Sequence, residues 1–322
     1  MPLVESSNYP SPWWLPGGHL QTIAPALLRR PRAVTTERER LELEDGDFLD
    51  LDWRREGRPK LAILSHGLEG SSRAIYIQAM AGALWKEGWD VLAWNCRSCS
   101  GEMNRLARFY HSGVSEDLHQ VIDHALAVHP AEQIDLVGFS LGGNLTLKLL
   151  GELGANLPSR LHRAVTFSVP CDLASSSQRL ESWLNRKLYM RRFIQPLLKK
   201  VESKRSHHPH IPEVDPRTRL ETFKQFDDRY TAPLHGFRDA EDYWMRSSSR
   251  PWLHSIKLPT LLVQAANDPF LAEDCFPFQE ARESESFYLE VTRGGGHVGF
   301  GSPWHHRNWA ESRALEFLIS GK

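Results

Sequence analysis

The chain has 322 residues, 41% hydrophobic and 25% charged, a globular composition that suits one large α/β domain with an insertion, or two small domains. Its 39 basic and 40 acidic residues leave a net charge of −1, so no overall basic field points to nucleic acid. No run of 18 apolar residues predicts a membrane-spanning helix, and Met1-Pro2-Leu3-Val4-Glu5 lacks the basic-then-apolar design of a signal peptide.

Residues 1–36 are rich in Pro and Trp and carry Pro16-Gly17-Gly18-His19-Leu20-Gln21-Thr22, which predicts an irregular arm docked through its tryptophans. Residues 38–53 alternate polar and apolar across Asp45-Gly46-Asp47, the pattern of a β-hairpin with an Asp-Gly turn. Leu61-Ala62-Ile63-Leu64 is a continuous apolar run, as expected of a strand buried on both faces, and the loop His66-Gly67-Leu68-Glu69-Gly70 follows it. Residues 76–87 have helical apolar spacing, and residues 90–95 read as the next strand.

Cys96-Arg97-Ser98-Cys99 comes next. A zinc site needs a second ligand pair, which the chain does not supply at suitable spacing, and a redox role needs a thioredoxin-like βαβ setting. This pair follows a strand and enters a Gly/Ser loop, so buried or loop cysteines are expected. Four cysteines in so long a chain make no disulfide scaffold, which favours a reducing cytoplasm.

Residues 114–128 form a helix with Glu116 and Asp117 in its first turn, where carboxylates suit the helix dipole. Residues 133–137 and 163–169 read as buried strands, with a helix opening at 142 between them. Residues 259–266 and 286–291 supply two last strands, and 304–319 a closing helix. Strands alternating with helices imply a mostly parallel sheet covered by helices on both faces.

The alternation breaks at 173–250, which holds a helical piece (178–202), a Pro/His loop (207–212) and a mixed segment ending near Trp244. The expectation is a largely helical cap inserted between core segments 37–172 and 251–322. From Leu173 to His210 it carries nine Lys or Arg against two Glu, most simply a solvated face, with steering of anionic or lipid-surface substrates left open. His207, His208 and His210 lack acidic or cysteine company, so no metal site is expected there.

The residues that carry chemistry centre on Gly138-Phe139-Ser140-Leu141-Gly142, at a junction of strand and helix. G-x-S-x-G in that setting is the nucleophile elbow of α/β-hydrolases: a tight turn, open only to glycine on either side, lifts the serine above the sheet. A serine needs an imidazole to take its proton, and the imidazole needs an acid to fix its tautomer. Both should follow in the order acid, then histidine, at the exits of later strands. Asp268, in Asn267-Asp268-Pro269-Phe270, and His297, after Gly294-Gly295-Gly296, stand at those places. Asp172 is the competing acid, and an Asx-turn role competes for Asp268. The oxyanion donors are the backbone N–H of Leu141, at the positive end of a helix, and that of Leu68 in the early loop. His66, just before the loop glycine, is expected to be structural, and Ser65, Ser98 and Ser100 to be loop serines.

Several longer stretches resemble the YheT-like α/β-hydrolases, a branch related to eukaryotic ABHD lipases and to plant and yeast esterase/acyltransferase relatives. They are Gly18-His19-Leu20-Gln21-Thr22, His66-Gly67-Leu68-Glu69-Gly70, Asn95-Cys96-Arg97-Ser98-Cys99-Ser100-Gly101-Glu102-Met103-Asn104, Tyr110-His111-Ser112-Gly113, the elbow, and Phe226-Asp227-Asp228-Arg229-Tyr230-Thr231-Ala232-Pro233. The chain departs at Ser98, where the family usually has glycine. The resemblance implies Ser140, Asp268 and His297 as a triad, and hydrolysis of carboxylic esters or acylglycerols. The expectation is therefore a cytoplasmic serine esterase or lipase with no cofactor and no bound metal. Its partner is a small-molecule ester or lipid, with peripheral membrane contact open. The alternative is an acyltransferase using an alcohol or thiol acceptor. An H-x₄-D string (His210 to Asp215) exists for it, but in a Pro-rich stretch where chance explains it better. A non-catalytic binding protein on the same fold fits an intact triad poorly.

Overall fold

Strands β1 (Glu37–Glu42), β2 (Phe48–Arg54), β3 (Lys60–Ser65), β4 (Asp90–Asn95), β5 (Gln133–Phe139), β6 (Leu161–Phe167), β7 (Thr260–Ala265) and β8 (Phe287–Thr292) make one sheet in the computed structural model. The model describes residues 3–4, 6–214, 220–301 and 308–321. The strand order is β1-β2-β4-β3-β5-β6-β7-β8. β1 pairs antiparallel with β2 and β2 with β4, and every pairing from β4 through β3 to β8 is parallel. The hairpin thus forms one edge. There Arg38 and Arg40 stand directly opposite Asp52 and Asp50, with ion pairs of 2.8 and 2.9 Å. Charges along an exposed strand discourage pairing with another sheet.

The longer helices are α1 (Gly17–Leu28), α2 (Ile75–Lys86), α3 (Ser115–Val128), α4 (Leu141–Leu153), α5 (Leu173–Leu180), α6 (Arg191–Arg205), α7 (Ala240–Ser247) and α8 (Trp309–Ser320). Successive strand residues point to opposite faces, and the two apolar layers follow that rule. Leu61 and Ile63 of β3 pack with Leu118 and Val121 of α3 and Leu145 of α4. Ala62 and Leu64 pack with Ile77 and Met80 of α2 and Leu315 of α8. A parallel strand covered on both faces has no polar side to show, which is why these strands read as unbroken apolar runs.

Two expectations need correction. Residues 17–28 are helical, not irregular, and the tryptophans before them do not dock the arm: Trp13 is 87% exposed and Trp14 46%. The arm is held instead by polar side chains of α1, described below. The closing helix begins at Trp309, where Asn308 and Glu311 form a reciprocal cap. Positions 304–307 of the expected helix lie outside the described residues.

The segment between β6 and β7 holds α5, α6, α7 and two stretches of wider helical turn, Arg186–Met190 and Asp227–Thr231. Ile194, Leu197, Val201 and Lys204 are the buried positions of α6, at helical spacing. The three apolar ones join Leu180, Tyr189 and Phe226 in a third apolar cluster, which also takes Phe109 and Phe270 from the core loops.

Candidate active site

β5 leads straight into Ser140, whose φ of 51° and ψ of −119° place a non-glycine residue in sparsely populated backbone space. The turn survives because its surroundings over-determine it. Ser140 N–H donates to the Phe167 carbonyl at 2.9 Å, and α4 begins at the next residue. A Cβ on Gly142 would lie 2.4 Å from the Ser65 carbonyl oxygen, and one on Gly138 2.7 Å from that of Gly142. Both outer glycines of the motif are therefore required by close approach.

Ser140 Oγ lies 2.9 Å from His297 Nε2, and His297 Nδ1 lies 2.9 Å from Asp268 Oδ2. An ionised carboxylate can only accept, so Nδ1 carries the proton and Nε2 is left to accept from the serine hydroxyl. The other oxygen of Asp268 accepts the Phe270 N–H at 2.8 Å. The Asx-turn role and the partnership with histidine are thus held by one carboxylate, one oxygen each. Asp172 is the N-cap of α5 and accepts from Ser175 N–H at 2.8 Å. The histidine loop bends through Gly295 (φ 136°) and Gly296 (φ 59°). Val298 N–H donates to Ser168 Oγ at 2.9 Å, and both of those residues also have positive φ.

The arm holds the loops that carry Asp268 and His297, a role not assigned from the sequence. Thr22 Oγ1 accepts the His297 N–H at 2.8 Å. Gln21 Oε1 accepts from Gly295 N–H at 2.7 Å and from Asn267 Nδ2 at 3.0 Å. Gly18 lets α1 come this near, since a Cβ there would sit 1.8 Å from the Asn267 carbonyl oxygen. The signal was the Gly18-His19-Leu20-Gln21-Thr22 string, but nothing in it names a contact hundreds of residues away.

Leu141 and Leu68 both line the cavity beside Ser140. The Leu141 N–H is at the first turn of α4, where N–H groups have no partner within the helix and the dipole carries about half a positive charge. His66 is wholly buried, and burial pulls its imidazole down to about 4. Its Nε2 accepts the Cys96 N–H at 3.1 Å, so Nδ1 donates to the Gly67 carbonyl at 2.7 Å. Both nitrogens are occupied, and His66 serves as a structural link between two loops. Ser65 accepts from Trp94 Nε1 at 2.8 Å. Ser98 has φ 64°. That left-handed conformation explains why glycine is usual at this position.

Burial pushes the Cys96 thiol well up and Cys99 to about 11, and neither is in a disulfide, so the pair stays protonated near neutrality. Among the described residues no cluster of three His, Cys, Asp or Glu could hold a metal ion, and no helix is long and apolar enough to cross a membrane. His210 is exposed, and Asp215 of the H-x₄-D string lies outside the described residues.

Above the serine is a cavity of about 430 Å³. Its walls include Leu173, Leu180, Phe193, Leu197 and Phe223 from the insertion and Phe270 beside the histidine. Asp227, from the insertion motif, also reaches this wall. It accepts from Thr231 Oγ1 at 2.6 Å and Trp244 Nε1 at 2.9 Å, while burial raises its carboxyl to about 7. The motif therefore ties the short helices of the wall to one another.

Residues 62–301 match the model of a family described as having the alpha/beta hydrolase fold. The chain is 36% identical over 311 residues to YheT of Escherichia coli (strain K12), covering 94% of this chain and 90% of that one. It is 29% identical over 309 residues to phospholipase ABHD3 of Homo sapiens, covering 93% and 75%. A solved structure of the Pyrococcus furiosus esterase Pf2001 superposes with a TM-score of 0.60 at 17% identity, over 91% of this chain and 97% of that one.

Proposed function

The chain belongs to the α/β-hydrolase family, in its YheT-like branch, and is an ester hydrolase; we propose that it cleaves carboxylic esters through an acyl-enzyme on Ser140. The observation that carries this is the unbroken hydrogen-bonded run Ser140–His297–Asp268 at the floor of an apolar cavity.

His297 Nε2 takes the hydroxyl proton as Ser140 Oγ attacks the ester carbonyl. Asp268 keeps the imidazole in the accepting tautomer and stabilises the imidazolium that forms. The oxyanion is received by the N–H groups of Leu141 and Leu68. The imidazolium then protonates the departing alcohol, leaving an acyl-serine. Water, deprotonated by His297, attacks that ester, and collapse of the second intermediate returns the proton to Ser140 and releases the carboxylic acid. No cofactor enters the cycle. The cavity volume falls within the usual range for small-molecule sites, about 300–1,000 Å³. Its aliphatic and aromatic walls suit the acyl chain of a short-chain ester or an acylglycerol-type lipid. A reducing, cytoplasmic setting fits four cysteines that form no disulfide.

The test is p-nitrophenyl butyrate hydrolysis together with fluorophosphonate labelling. Ser140→Ala should lower kcat by about 10⁴-fold or more and abolish labelling at the Ser140 peptide. Turnover that survives the substitution would sink the assignment of the nucleophile.

A further inference from the structure

Leu68 is the second residue of a four-residue turn, Gly67-Leu68-Glu69-Gly70, closed by Gly70 N–H donating to the Gly67 carbonyl at 3.0 Å. The third residue has φ 53°, a place where glycine or asparagine is usual, and here it is Glu69. Three contacts hold it there. Glu69 N–H donates to the Tyr110 hydroxyl at 2.8 Å, and that hydroxyl donates back to Glu69 Oε1 at 2.7 Å. Lys200 Nζ donates to the same oxygen at 2.7 Å. The two side chains are only 15% and 11% exposed.

Lys200 belongs to α6 of the insertion. One turn later Lys204 donates to the backbone carbonyls of Asn104 and Leu106, so two ammonium groups on one helix face grip two core loops. The neighbouring amides of the turn are already engaged, Gly67 N–H by the Tyr76 hydroxyl at 2.9 Å and Glu69 N–H by Tyr110. Among the described residues the Leu68 N–H has no hydrogen-bond partner, and Leu68 lines the cavity. The turn lies against the nucleophile, since a Cβ on Gly67 would be 3.2 Å from Ser140 Cβ.

Taking an ammonium out of water carries a desolvation cost that a leucine at the same place would not. If α6 only needed to dock, an apolar contact would serve. We infer that Lys200, acting through Glu69, is a positioning residue for oxyanion stabilisation: the insertion holds the left-handed turn that aims the Leu68 N–H at the tetrahedral intermediate. This rests on the acyl-enzyme chemistry proposed for Ser140.

Lys200→Met, Lys200→Arg, Glu69→Gln and the double variant Glu69→Gln with Lys200→Met separate positioning from docking. The readouts are kcat and KM for p-nitrophenyl butyrate and the Ki of an alkylboronic acid, whose tetrahedral serine adduct puts an oxygen where the oxyanion forms. Lys200→Met and Glu69→Gln should each lower kcat about 10- to 100-fold with KM changed less than about threefold, and raise the boronate Ki in step. The double variant should lose little more than either single one, because both break one tie, and Lys200→Arg should recover part of the loss. If Lys200→Met does not fold, Glu69→Gln carries the same readouts. The inference is overturned if kcat and boronate Ki stay within about twofold in a variant folded at assay temperature, or if KM alone rises, the outcome of a looser pocket. Failure of the acyl-enzyme chemistry itself would show in the unmodified chain, as no fluorophosphonate label on Ser140.

Discussion

The sheet and the insertion are held by different forces. In the sheet Leu61, Ile63, Leu64, Val137 and Leu261 are wholly buried. Each such side chain contributes about 1.5–3 kcal/mol through burial, with little demand on direction. The insertion meets the core through directional contacts as well. Asn185 Nδ2 donates to the Pro269 carbonyl at 2.7 Å, His235 Nε2 lies 2.8 Å from the Phe109 carbonyl, and Ser112 N–H donates to the Tyr243 hydroxyl at 2.9 Å. Each nets only about 1 kcal/mol but fixes a position. Ser140, Asp268 and His297 stand on the exits of sheet strands, whereas the insertion supplies a large apolar part of the cavity wall. Substitutions at strand exits should therefore remove chemistry, and substitutions in the insertion should redistribute it among substrates.

The largest expected effect separates two strand-exit acids. Asp268→Asn should lower kcat on p-nitrophenyl butyrate by about 10³- to 10⁴-fold, because an amide no longer selects the accepting tautomer of His297. Asp172→Asn, which still caps α5, should stay within about twofold. Equal losses would erase the distinction between a histidine partner and a helix cap.

A smaller effect tests whether the arm belongs with the catalytic region. Thr22→Val removes the acceptor of the His297 N–H and should lower kcat about tenfold through misplacement of the imidazole. Unchanged turnover would reduce the arm to a cover.

For the insertion, Leu180→Trp should lower kcat/KM for the octanoate ester relative to the acetate by about tenfold, since steric loss in an apolar pocket costs about 1–3 kcal/mol. A constant ratio across the ester series would mean that the acyl chain does not run along this wall.

The smallest effect is on stability, and both regions contribute. Burial lowers His66 to about 4 and also lowers His111 and His235. Their folded values lie below the unfolded value of about 6.5, so their contribution is complete above that pH and is lost as pH falls toward 4. Asp227, raised to about 7 by burial, acts oppositely: its contribution is complete below about pH 4 and lost as pH rises through 7. Burial also raises the Glu116 and Asp135 carboxyls, which act with Asp227, so the two strongly lowered histidines, His66 and His111, leave a net fall in Tm of only about 2–4 °C between pH 7 and pH 5. Asp227→Asn should steepen that fall. A Tm independent of pH over this range would show that the histidines are not held neutral by the fold.

The fold was legible where the signal is periodic. The apolar runs in β3, β5, β6 and β7 belong to strands covered on both faces, and burial needs only a pattern. Ser140 and Asp268 were legible because each follows such a run, and His297 because it follows the last strand, with glycine or proline within two residues of each. The arm was misread because tryptophan content suggested burial, whereas α1 is anchored by Gln21 and Thr22.

The sequence by itself determined the layered sheet, the elbow and the order in which Ser140, Asp268 and His297 follow the strands, because each depends on neighbours in the chain or on a repeating apolar pattern. Only the tertiary structure decided which polar side chains hold those parts in place. Thr22 meets His297 across 275 positions and Lys200 meets Glu69 across 131. A single directional contact between distant residues leaves no period and no local spacing, so it exists only once the chain has folded.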